Sequence, residues 1–118
     1  MPSESPGFAA HLAEELSPED FIQVLTLVSG DVEQLVASLE TAAGAGDADA
    51  CRAAAHGLAG AAGAVGADAL ERVSRRAMTN RDPAASLTAM AAEIRAVADA
   101  MLRDIAAVLT GGAPPVPL

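Results

Sequence analysis

The chain has no Trp, no Tyr and no Lys, a single Cys and only two aromatic residues, Phe8 and Phe21, in 118 residues. One cysteine cannot close an internal disulfide, which fits a reducing cytoplasm, and Cys51 reads as a small buried hydrophobe rather than a reactive thiol. Strands favour aromatic and β-branched side chains, which are thin here. No run approaches the roughly 20 uncharged apolar residues of a membrane span, and the start of the chain, with Glu4 and no cation, does not read as a signal peptide. Nucleic-acid binding is dominated by Lys and Arg contacts to phosphates, so the net charge of −9 argues against that partner.

What the chain has is alanine. Thirty residues are Ala, and Leu, Ile, Val, Met and Phe together supply thirty more. Alanine has the best helix propensity, and its small side chain lets backbones approach. The expected fold class is all-α: an antiparallel up-down four-helix bundle with a short additional N-terminal helix. A chain of this length has core enough for one domain.

The charges are unevenly placed. The first 51 residues hold ten of the sixteen acids and no Arg, whereas residues 52–81 hold Arg52, Arg72, Arg75, Arg76 and Arg81. Residues 1–7 read as a flexible leader, 8–110 as the bundle and 111–118, rich in Pro, as a disordered tail. Phe8, Ala9, Leu12 and Leu16 suggest a short first helix. Ser17-Pro18-Glu19-Asp20 starts the next, with Ser as N-cap, Pro at the first helical position and acids in the first turn. Phe21, Leu25, Val28, Val32, Leu35 and Leu39 form its apolar stripe. Ser29-Gly30-Asp31 interrupts that stripe without shifting its phase; a stop with a new cap at Asp31 is preferred to a kink. Gly44-Ala45-Gly46-Asp47 ends one helix and caps another, which runs to about Val65 with a turn at Gly66. Asp68 is expected to cap a shorter helix through Met78. Pro83 is expected to open the last helix, on which Leu87, Ile94, Met101 and Val108 repeat every seven residues and Met90, Val97 and Ile105 fill the same face.

The helix after Asp47 carries the chemistry. At 100° per residue, Cys51, Ala54, Ala55, Leu58, Ala62 and Val65 form one stripe, and His56 lies about 200° from Leu58, pointing outward. Arg52, Ala59, Gly60 and Gly63 are expected on the same outer face. Each glycine costs a helix roughly 1 kcal/mol against Ala, and bare backbone beside an imidazole would let a partner bring a reactive atom close.

The run from His56 through Leu58, Gly60, Ala62, Val65, Gly66 and Ala67 to Leu70 resembles the signature of histidine phosphotransfer (HPt) domains, H-x-L-K-G-x-A-x-x-(aliphatic)-G-A-x-x-L. The resemblance implies that His56 accepts a phosphoryl group through Nε2 from an aspartate of a response-regulator receiver domain and passes it to another. Implied partners are that receiver domain, a hybrid sensor histidine kinase, or both, with no nucleic acid, no membrane, a monomeric state and cytoplasmic location. The chain needs no cofactor of its own; the divalent metal belongs to the receiver. His11 and Cys51 suggest no metal site with His56.

One departure stands out: the family's Lys three residues after the histidine is Ala59 here. Cations stabilise the charge of a transferring phosphoryl group, so the expected substitute is Arg52, four residues before His56, or else Arg75 or Arg76 from the next helix. Gly60 and Gly63 would admit the receiver's acidic site, and Phe8 and Leu12 would offer an apolar docking surface. His11 reads as a surface residue. The alternative is an HPt-shaped docking module that binds a receiver or kinase without carrying phosphate.

Overall fold

The computed structural model describes residues 14–80 and 86–111, and every described element is helical. Expectations for the leader 1–7, Phe8, His11, Leu12, Arg81, Pro83 and the tail from residue 112 lie outside those residues. Glu14 and Glu15, the first described, are helical.

Local chemistry sets each boundary. Helix α1 spans Pro18–Gly44, with the Ser17 side chain accepting a hydrogen bond from the Asp20 N–H at 3.2 Å and Glu19 and Asp20 in its first turn. It does not break at Ser29-Gly30-Asp31, contrary to the sequence reading. Because the stripe keeps its phase, an unbroken helix buries Leu25, Val32, Val36 and Leu39 together. Burying one such side chain is worth about 1.5–3 kcal/mol, more than the roughly 1 kcal/mol one glycine costs. Val36, not Leu35, belongs to that fully buried set; Phe21, Val28 and Leu35 are half-buried against it. Among the described helices α1 alone is long and apolar enough to cross a membrane. The criterion of an uncharged run passes over it because Asp31 and Glu33 interrupt it, and its buried stripe is spent on the bundle.

Helix α2 spans Ala48–Val65 between two firm stops. Asp47 accepts from the Ala50 N–H at 3.0 Å at the start. At the end Gly66 turns left-handed at φ 72°, and the Ala67 N–H reaches back to the Ala62 carbonyl at 2.8 Å. This six-to-one closure needs a residue that tolerates positive φ. Helix α3 spans Asp68–Thr79, and its cap position is Ala67, with no side-chain capping bond. Asp68 therefore corrects the expectation: it lies within the first turn, where its charge favours the helix dipole. Helix α4 spans Leu87–Gly111, and Ser86 caps it, accepting from the Ala89 N–H at 3.0 Å.

The helices form a ring in chain order, with α1 packed on α2 and α4, and α3 packed on α2 and α4. Cys51 Sγ lies 4.0 Å from the Leu39 carbonyl, and Gly57 lies against Leu35, so positions fall along α1 as they rise along α2. Ile94, Ala98, Met101 and Ile105 bring α4 into the same core, with Leu87, Met90, Val97 and Val108 half-buried beside them. Ser74 Oγ is buried without a hydrogen-bond partner among the described residues.

Arg95 clamps Glu40 across α4 and α1, donating from Nε at 2.9 Å and Nη2 at 2.7 Å, and also reaches Asp99 at 3.2 Å. Those bonds hold the Glu40 carboxyl below the usual glutamate range, against a weaker upward push from burial. A carboxyl lowered in the fold stabilises above its unfolded pKa and loses that contribution as pH falls through its folded one. With side chains 35 % and 43 % exposed, the pair is screened and contributes about 0.5–1 kcal/mol. Glu40→Gln is thus expected to lower stability by about that much at pH 7, and the gap should close as urea unfolding is repeated below about pH 4.

Candidate functional site

His56 stands near the middle of α2 on its exposed face, with no hydrogen bond or ion pair to any described residue. The opposite face, Cys51, Ala54, Ala55, Leu58, Ala62 and Val65, is buried as the wheel predicts. Burial raises the Cys51 thiol pKa, with Asp47 adding to it against a smaller opposing effect of Arg52. The thiol is therefore held protonated and inert.

Four positions near His56 look alike in sequence but differ in the fold. A Cβ on Gly57 would lie 3.0 Å from Leu35 Cδ2, so this glycine lets α1 close on α2. A Cβ on Gly63 would lie 3.2 Å from Glu71 Oε2, so α3 reaches over that point. A Cβ on Gly60 meets no atom of the described residues within 4 Å. Gly60 is thus the exposed bare backbone beside the imidazole that the sequence led one to expect. Ala59, expected on the open face, is only 3 % exposed. On the wheel it sits about 60° from His56, and the packing of the bundle closes over it.

The expected cations are all engaged. Arg52, half-buried, pairs with Asp49 on its own helix; Arg75 donates to Glu71 at 3.0 and 2.7 Å; Arg76 donates to Glu93 on α4 at 2.9 Å. None of these pairs includes His56. Sequence reasoning missed Glu71, although the Glu-to-Arg spacing of four residues is a readable helix pair; where that pair lies needed the fold. An apolar groove of about 500 Å³ between the start of α3 and the middle of α4, lined by Leu70, Val97, Ala100 and Met101, contains none of the expected site residues. No cluster of three or more His, Cys, Asp or Glu among the described residues could hold a metal.

An outward imidazole at the centre of a helical bundle, framed by open glycine backbone, is the arrangement that the family comparison can decide. The model of the Hpt domain matches residues 23–108. The chain belongs to the Hpt-domain family. The match includes all of α2 and α3 and most of α1 and α4, with His56 inside it. No curated protein and no solved structure matches the chain. As a member of this family the chain is a histidine phosphotransfer module of two-component signalling, and Hpt domains in general interact with receiver domains and kinases.

Proposed function

We propose that this Hpt domain is a phosphorelay intermediate, with His56 carrying a phosphoryl group between the aspartates of response-regulator receiver domains. The observation that carries the reading is the exposed imidazole, free of described partners, beside open backbone at Gly60. The lone pair of His56 Nε2 attacks the phosphorus of the receiver's acyl phosphate. As the N–P bond forms, the P–O bond to the aspartate breaks and the carboxylate leaves with its electron pair. The proton on Nδ1 stays, and the return step reverses these changes onto a second aspartate. The divalent metal that offsets charge on the acyl phosphate belongs to the receiver.

The proposed scaffold is an antiparallel up-down four-helix bundle with a short helix before α1, acting as a monomer in the cytoplasm. Phe8 and Leu12 are the proposed apolar docking residues on sequence grounds, with a receiver domain, a hybrid sensor kinase, or both as partners. The test is incubation with a phosphorylated receiver. An acid-labile, base-stable label on His56 supports the carrier; binding without label identifies the docking module instead. That second reading draws on the engagement of Arg52, Arg75 and Arg76 in other ion pairs.

Gly60 separates stability from docking. Its Cβ position is open, so Gly60→Ala should raise stability by about 0.5–1 kcal/mol through helix propensity, read from the urea midpoint. Gly60→Met starts from the same open Cβ position and extends into the space a receiver needs. Its label uptake should slow by about tenfold or more, as misplacement of reacting groups does, while its urea midpoint does not fall.

A further inference from the structure

We infer that Arg75, oriented by Glu71, is the residue whose positive charge stabilises the phosphoryl group on His56; this rests on the carrier reading above. A transferring phosphoryl group concentrates negative charge on its oxygens, and a preplaced cation lowers the energy of that state. The described arginines divide by direction. Arg52 is drawn to Asp49, one turn toward the start of α2 and away from His56, and Asp49 is 90 % exposed. Arg76 is drawn to Glu93 on α4, and Arg72, four residues before it, shares that side of α3. Arg95 and Arg103 lie on α4.

Arg75 differs. Its partner Glu71 places a carboxylate oxygen 3.2 Å from where Gly63 would carry a Cβ. Gly63 lies seven residues, or two turns, beyond His56 on the same line of α2. The Glu71–Arg75 pair therefore lies along the His56 face. Only Gly66 and Ala67 separate α2 from α3, and the two helices pack on each other. Each turn forward along α3 thus moves one turn back along α2, which brings Arg75 to the level of Ala59 and Gly60. The 3 % exposure of Ala59 shows that α2 is covered at that level, and α3 is one of the helices packed on it. Arg75 already spans one turn to reach Glu71, and the same length laid the other way covers the turn toward His56. Glu71, half-buried at 27 % exposure, keeps the guanidinium over this strip until a phosphoryl group with greater charge competes for it.

The experiment uses phosphoramidate on the full chain, so it does not depend on any receiver. His56 Nε2 bonds to phosphorus, the P–N bond of phosphoramidate breaks, and ammonia leaves. Labelling rate and the ³¹P resonance of the phosphohistidine are compared across variants whose circular dichroism melts match wild type. Arg75→Gln should slow labelling by about tenfold or more and shift the resonance, and Arg75→Lys should restore most of the rate. Arg52→Gln and Arg76→Gln should stay within about twofold, the scale of a weak exposed charge. A wild-type rate and resonance in Arg75→Gln, or a larger loss in Arg52→Gln, overturns the assignment. If Arg75→Gln does not fold, Arg75→Met, which keeps the stem, is compared with Arg75→Lys by the same two readouts. Failure of the carrier reading shows separately, as wild type that labels with phosphoramidate but not from a phosphorylated receiver.

Discussion

His56→Gln is expected to fold like wild type and to take no phosphoryl label from a phosphorylated receiver. The side chain is exposed and bonds to no described residue, so its replacement should change stability by no more than about 0.5 kcal/mol. Glutamine keeps polarity and bulk but has no nucleophilic ring nitrogen, and the covalent step stops at the first bond. A melting curve and an acid-lability assay run on the same preparation check both halves. Label persisting in the variant would move the acceptor elsewhere, with His11 the other histidine in the chain.

The second large effect is on the fold. Leu58 is fully buried on the face of α2 opposite His56, and Leu58→Ala should cost about 2–5 kcal/mol. The upper part of that range is expected because its buried helix neighbours, Ala54, Ala55 and Ala62, are already minimal and cannot swing into the vacated space. Domains are stable by only about 5–15 kcal/mol, so one truncation removes a large share. A lower urea midpoint at unchanged slope is the reading that supports this. Leu27→Ala, at a position 63 % exposed, is the control and should stay within about 0.5 kcal/mol.

Where one residue's chemistry settles a feature, the sequence was a good guide. Ser17 and Asp47 cap as expected because a short acceptor side chain can close on the backbone three residues ahead, and Gly66 ends α2 because positive φ asks for glycine. The outward direction of His56 follows from the phase of a stripe of small and aliphatic side chains, three of them Ala. What was not legible depends on other helices. Gly30 looks like a stop until the burial on both sides of it is seen to need one unbroken helix. Leu35 and Val36 lie about 100° apart on a wheel, and the fold encloses Val36 while Leu35 rests half-buried at the edge of the stripe, against Gly57 of α2. Glycines 57, 60 and 63 read as one set of bare positions, yet Leu35 fills the space at the first and Glu71 reaches the last. Ala59 lies at the border of the outer face, where a neighbouring helix and not its own period decides exposure.

The two stops of α2 have a mechanical consequence. Helices loosen from their ends, and the loss is worst in the first and last turns. Here a carboxylate fastens one end and a left-handed glycine the other, while eight residues precede His56 and nine follow it within the helix. Thermal unravelling at either terminus dies out before it reaches the imidazole. Amide hydrogens around His56 should therefore be among the slowest to exchange in the molecule, and successive visitors should meet the ring in one unvarying pose.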